Sequence, residues 1–345
     1  MCANPKAAEM TAAPGSVVLA SCMRNEGLFI VEWLAYHSLL GFSDILIFTN
    51  NCTDGSDLLL DRLQVLGWVT HIRHSPPPGV APQIAAMGLA FRHPAVIRAE
   101  WMLHIDADEF LNVTAGDGSV QALLQATGEA DVIAIAWNLF GSAGLTRWDG
   151  GAVLASFTRG QGAPMRRTID HKSLFRPSRF TSAIDHMPKT PKAPPAVAKN
   201  TQGVVISAES LDHPKRSRFK VPFGHVTFAN ASIHHYAVKS LDVFLMKNDR
   251  GDGMGLTHAK YRIGSQFHSR YDRNEVEDRS ILCRWPAVEA RMAEMLADPE
   301  VRRLNDACLG AFRARRDVVL TPDRIAAWTA PPESPDHDPA GLDPD

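Results

Sequence analysis

The sequence predicts an α/β fold, a mostly parallel sheet with helices on both faces and a less regular C-terminal part. Three observations carry that prediction. Short runs that are apolar throughout alternate with amphipathic helical segments over the first 140 residues. Such runs fit strands buried on both faces rather than half-exposed antiparallel ones. And the polar, chemistry-bearing residues collect just after those runs, where open α/β sheets bind ligands.

The elements follow in order. Residues 16–21, SVVLAS, read as the first buried strand. After CMRNEG, Ile30, Trp33, Leu34 and His37 fall on one helical face, and Gly41 is a stop. DILIFT (44–49) is the second strand. The turn-rich NNCTDGS and a helix carrying Leu59, Leu63 and Leu66 follow it. WVTHIRH (68–74) is a third strand, and 82–98 a helical segment interrupted by Pro94. WMLHI (101–105) and DVIAIAW (131–137) are strands four and five, with a helix over 119–127 between them.

Beyond 140 the pattern loosens. The chain divides into a flexible N-terminus (1–15), a first half (16–140), a second half (141–285), a helical region (286–330) and an acidic, Pro-rich disordered tail (331–345). The Pro- and Lys-rich stretch 187–203 reads as an exposed, flexible insertion.

Composition narrows the function classes. The 36 Lys+Arg against 38 Asp+Glu give a formal charge of −2, so no overall field recruits nucleic acid. The basic run HPKRSRFK (213–220) reads as a solvated face, with a phosphate or anionic surface as the alternative. Five scattered cysteines without metal-ligand spacing fit a reducing cytoplasm. No apolar run reaches the length of a membrane span, which leaves peripheral contact open.

The chemistry concentrates in WMLHIDADEF (101–110). Taken as a strand end, it puts His104, Asp106 and Asp108 on one side and Ala107 and Glu109 on the other. Two carboxylates side by side raise each other's pKa unless a cation neutralises them. Oxygen ligands with open positions suit Mg²⁺ or Mn²⁺ and a substrate's phosphates. The competing role for these aspartates is a helix cap or an Arg partner.

RNEGLFIVEWLAYHSLLGFSDILIFTNNCTDGS, then WMLHIDADEFL, then WNLFGSAG resemble the glycosyltransferase family 2-like group and the related family 92-like enzymes. DHKSLFRP, HHYAVKS and FLMKNDRG extend the resemblance, with gaps, over residues 16–283. It implies the GT-A fold, a Rossmann-like nucleotide-sugar domain with a D-x-D metal motif. It implies sugar transfer from a nucleotide-diphosphate donor, UDP foremost, to a glycan, polysaccharide or lipid-linked acceptor at the inner face of a membrane.

Position by position, the resemblance implies that Asn25 and Glu26 border the nucleotide and that Asn51 and Asp54 read the uracil edge or ribose. TNNCTDG stands where many family 2 enzymes carry two consecutive aspartates. Asp106 would approach ribose and metal, Asp108 would ligate the metal, and His235 would complete the site. Lys247 and Arg250, like Lys172 and Lys239, either clamp the diphosphate or decorate helices, while Trp33 and His37 read as core. For the acceptor side, Trp137 offers a stacking face or a core contact, with Asn138 and His171 beside it. Inverting transfer needs a base: Asp149 is favoured, with Glu109 as the alternative, and Asp170 and His171 are also available. A metal-dependent nucleotidyltransferase and a non-catalytic carbohydrate-binding protein are the competing readings.

Overall fold

The structure, a computed structural model, describes residues 13–148, 150–214, 216–250 and 261–330. Its first half runs β1 (Ala13–Met23), α1 (Ile30–His37), β2 (Asp44–Thr49), α2 (Ser56–Val65), β3 (Thr70–Arg73), α3 (Pro82–Ala90), α4 (Pro94–Arg98), β4 (Ala99–His104), β5 (Glu109–Val113), α5 (Val120–Thr127) and β6 (Val132–Leu139). β1 lies between β2 and β4, parallel to both, and β3 extends the sheet beside β2. Alternate residues of β1 feed opposite faces: Val17 and Leu19 join one apolar core, Val18 and Ala20 the other. That is why the run is apolar throughout.

Local chemistry sets the boundaries. Pro82 and Pro94 occupy first turns, where a missing N–H leaves nothing unsatisfied, and the second splits the expected 82–98 helix in two. Ser119 Oγ accepts from Ala122 N to open α5, and Gly128, at φ 69°, closes it.

The second half contributes α6 (Val153–Ser156), β7 (Arg159–Gly160), β8 (His171–Phe175), β9 (Phe180–Ala183), β10 (Pro188–Pro191), β11 (Ala198–Asn200), β12 (Val205–Ile206), α7 (Glu209–Asp212) and β13 (Ala231–His235). Then come α8 (Leu241–Arg250), α9 (Gln266–Tyr271), β14 (Val276–Glu277), α10 (Trp285–Leu296), α11 (Pro299–Val319) and α12 (Pro322–Thr329). β8 runs antiparallel between β4 and β6, giving the order β12-β11-β6-β8-β4-β1-β2-β3. β13 pairs parallel with β6 and antiparallel with β5, which brings HHY beside the end of the D-x-D segment.

Three expectations change here. Residues 187–203 are not a loose insertion: they hold β10 and β11, and β11 pairs with β6, burying Ala196 and Ala198. β1 begins at Ala13, inside the stretch expected to be flexible. The fourth strand stops at His104, so strand alternation does not place the carboxylates. α10 packs on α1 and α11 on α2, so the helical region covers the first half's outer face. Residues 331–345 lie outside the described residues. No helix among the described residues is long and apolar enough to cross a membrane.

Candidate active site

The D-x-D segment is a turn between β4 and β5, closed by Glu109 N donating to Asp106 O at 3.1 Å. Glu109 Oε2 accepts from Asp106 N at 2.8 Å and pins the turn from within. The EWLAYH helix holds it from outside. Trp33 Nε1 donates to the carbonyls of Asp106 (3.2 Å) and Glu109 (3.0 Å), and Tyr36 Oη donates to Leu111 O (2.9 Å). His37 Nδ1 faces Trp33 O at 2.8 Å, so it carries the proton, and Nε2 accepts from Leu111 N at 3.4 Å. Burial pushes the His37 pKa down to about 3, which keeps that tautomer neutral. From the other side, Tyr236 N on the β13 end donates to Asp108 O at 2.8 Å. Trp33 and His37 are thus scaffold for the turn.

The two aspartates then part company. Asp106 turns towards Lys172 on β8: its Oδ2 lies 3.1 Å from Nζ, and its Oδ1 accepts from Gln83 Nε2 at 2.9 Å. Lys172, with no exposed side-chain surface, also meets Asp185 Oδ1 at 2.6 Å and Glu109 Oε2 at 3.4 Å. Burial opposes its charge, yet the three carboxylates hold its pKa well above the usual lysine range. Burial works against the Asp185 charge too, and Lys172 overrides it, keeping that carboxyl well below its usual range. Glu109 goes the other way: burial, with repulsion from Asp106 and Asp185, outweighs Lys172 and raises it.

Asp108 points elsewhere. Its Oδ2 accepts from Lys247 Nζ at 2.9 Å, and its Oδ1 lies 3.5 Å from His235 Nε2. Burial would raise its pKa, but Lys247, His235 and Lys239 hold it well below the carboxylate range. The elevation expected of Asp108 does not arise, because Lys247 pairs with it.

Both aspartates line one cleft of about 180 Å³ at the carboxyl ends of β1, β2 and β4, with Arg24, Glu26, Gln83, His235 and Lys247. A second cavity, about 570 Å³, lies alongside, and Arg24 and Lys247 border both. Asn25, Asn51 and Asp54 line the second cavity. Asn25 exchanges two hydrogen bonds with Thr53, and Asp54 accepts from Gly27 N and Ser56 N. Asn25 and Asn51 take left-handed φ of 56° and 48°, which asparagine tolerates. These residues shape the two loops and stand apart from the D-x-D cleft.

The expected acceptor-side residues are interior. β6 is buried along its whole length because the sheet is covered on both faces. Trp137 therefore packs against His235, ring centroids 4.4 Å apart, and Asn138 Nδ2 donates to Asp278 Oδ2 at 3.1 Å. His171 on β8 is buried, with its pKa lowered to about 4 by that burial. None of the three lines either cavity. Glu109, sealed at 0% exposure, also lies behind the cleft wall rather than on it. Asp149 and the side chain of Arg250 lie outside the described residues.

Sequence reasoning missed Arg24, Gln83 and Asp185. Arg24 was visible in CMRNEG beside two residues that drew attention. Asp185 comes from the β9–β10 connection, whose return to the D-x-D turn no local pattern announces. It forms, with His104 and Asp106, a trio whose ligand atoms lie within 4.8 Å of one another.

Against known proteins, the sequence profile of Glycosyltransferase family 92 matches residues 19–247. The chain belongs to glycosyltransferase family 92. A family 92 protein of Ricinus communis is 28% identical over 178 residues, covering 50% of this chain and 30% of its own. One of Oryza sativa subsp. japonica is 28% identical over 176 residues, covering 49% and 28%. This chain thus spans less than a third of the length of these curated relatives. The structure of S. aureus TarS in complex with UDP aligns with a TM-score of 0.32 at 12% identity, over 47% of each chain, too low a score to carry an argument. The mostly parallel sheet covered by helices agrees with the α/β fold class the sequence predicts.

Proposed function

We propose that this family 92 chain is a glycosyltransferase that binds a nucleotide-diphosphate sugar, a UDP-sugar first, in the D-x-D cleft and passes the sugar to an acceptor hydroxyl with inversion. The observation that carries this reading is the convergence of Asp106, Asp108, His235, Lys247 and Arg24 on one cleft at the strand ends.

The residues fit a divalent cation. Asp108 Oδ1 and His235 Nε2 lie 3.5 Å apart, Asp106 shares their wall, and the buried Nδ1 of His235 has no hydrogen-bond partner among the described residues. Those three would hold the ion. A carboxylate-plus-imidazole set suits Mn²⁺ better than Mg²⁺, which prefers oxygen ligands and retained waters. The trio His104, Asp106 and Asp185 is the alternative: its ligand atoms lie within 4.8 Å of one another, and Lys172 supplies positive charge there as Lys247 does at Asp108. When bound, the cation would supply Lewis-acid stabilisation of a leaving diphosphate.

The chain's own residues do the rest. Lys247 and Arg24 present positive charge to the diphosphate, and Lys247 is oriented by Asp108 and by the Ala237 carbonyl at 2.6 Å. Trp33, Tyr36 and Glu109 fix the turn so that the aspartates need no reorganisation when the donor arrives. Asp149 remains the proposed base for the acceptor hydroxyl, since Glu109 is turned into the Lys172 cluster.

The test is turnover. The chain is incubated with a panel of UDP-sugars and Mn²⁺ and, separately, with NTP plus sugar 1-phosphates. UDP release that Asp108→Ala abolishes is the expected result. Consumption of NTP and sugar phosphate would make the protein a nucleotidyltransferase, and sugar binding with neither turnover would make it a non-catalytic carbohydrate-binding protein.

A further inference from the structure

α3 and α4 cover the sheet face opposite α10 and α11, over the core that Val18 and Ala20 feed. They leave part of it open. A groove of about 710 Å³ runs between these helices and β9, floored by the buried Met87, Val96 and Phe180. Two isoleucines line it at the surface: Ile84 of α3 is 45% exposed and Ile97 of α4 50%. Exposed isoleucines on two neighbouring helices over one apolar groove make a contiguous patch, which marks an interaction surface.

The charge around that patch has one sign. Arg92 and Lys192 line the groove, Arg98 follows Ile97 on α4, and no acidic residue is among the lining groups. None of these three cations makes a side-chain hydrogen bond or ion pair with a described residue. Arg176 and Arg179, by contrast, are held by Glu100 and Asp131. Ser178, Thr181 and Ser182 add hydroxyls along the β9 side. A single acidic segment of a protein would answer one or two of these cations. A plane of lipid phosphates answers all three while its hydrocarbon edge takes up the isoleucines.

We propose that this face docks on an anionic lipid bilayer, with Ile84 and Ile97 entering the acyl boundary and Arg92, Arg98 and Lys192 meeting lipid phosphates. Gln83, one residue before Ile84, lines the D-x-D cleft, so docking here sets the cleft beside the headgroups, where a lipid-linked acceptor is presented. An acceptor presented there presupposes that the cleft binds the donor. The docking does not, and its assay contains no nucleotide, so either can fail alone.

The test is co-sedimentation of the full chain with vesicles of phosphatidylcholine alone and of phosphatidylcholine mixed with phosphatidylglycerol. The chain should bind the mixed vesicles at least about tenfold more tightly, and about 1 M salt, which cuts the screening length to about 3 Å, should erase most of the difference. Arg92→Glu with Lys192→Glu should lose at least about tenfold in that affinity, and Ile84→Ser with Ile97→Ser about as much. All four side chains are exposed, so both pairs should fold, which near-UV circular dichroism checks. Val318→Ser, on α11 and 67% exposed, should change binding by less than about twofold. Equal binding to the two vesicle types, or anionic binding that both pairs leave unchanged, would overturn the proposal. No binding to either would overturn it in favour of an acidic protein partner. A dimer in sedimentation velocity that the isoleucine pair dissolves would overturn it in favour of a contact between copies of this chain.

Discussion

Two lysines neutralise the acidic turn, and they do so in opposite ways. Lys172 is sealed, shares its ammonium among Asp106, Glu109 and Asp185, and reaches neither cavity. Lys247 pairs with the single carboxylate of Asp108 and borders both cavities. The same charge chemistry therefore serves two ends. One lysine stabilises the fold of the turn, and the other stands where a ligand can compete for it.

The comparison can be broken by mutation. Lys172→Met would leave buried carboxylates without their cation, and we expect a loss of about 3–5 kcal/mol in urea unfolding. A loss below about 1 kcal/mol would mean that the cluster neutralises itself by taking up protons. Lys247→Met, which strands one carboxylate rather than three, should cost less than Lys172→Met, yet weaken UDP binding at least about tenfold. If the Lys172 variant lost more UDP affinity than the Lys247 variant at temperatures where both are folded, the division of labour would be reversed. Trp33→Phe strips the donor from two turn carbonyls and should cost about 1–2 kcal/mol, with a smaller loss of affinity.

The pH dependence sharpens the contrast further. Glu32, wholly buried, caps α6 by accepting from Val153 N and Leu154 N at 2.7 and 2.9 Å. Burial outweighs those bonds and lifts its pKa from 4.5 to about 7. A raised folded pKa contributes stability below the unfolded value and loses it as pH rises, here between about 4.5 and 7. Asp108 and Asp185, both depressed, do the reverse: their contribution is present above the unfolded carboxylate pKa and is lost as pH falls through the folded one. Unfolding free energies of Glu32→Gln should therefore fall less than those of wild type between pH 4.5 and 7. A parallel profile would show that Glu32 titrates normally.

Much of the sheet was legible because strands buried on both faces leave an unmistakable apolar run, as at residues 44–49 and 131–137. The D-x-D turn was legible as a cluster of charge but not as a geometry. Strand alternation put Asp106 and Asp108 on one face, whereas the Glu109–Asp106 turn bond sends them to different lysines. β8 and β13 escaped notice for a related reason: they join the sheet by long returns, and HKSLF and ASIHH are too polar to read as buried strands. Of their buried polar side chains, Lys172 and His235 face the turn's carboxylates, while Ser173 Oγ donates to His186 O and His234 Nε2 lies 3.0 Å from Asn112 Nδ2. Trp137, Asn138 and His171 show the opposite error, since residue types suited to sugars were already committed to the interior.

The most direct test of the central claim, that the cleft at the acidic turn holds the donor, is calorimetric titration of UDP with and without Mn²⁺ into wild type and Asp108→Ala. We expect Mn²⁺-dependent binding that the substitution removes. UDP binding that ignores both the metal and Asp108, or no binding at all, would contradict it.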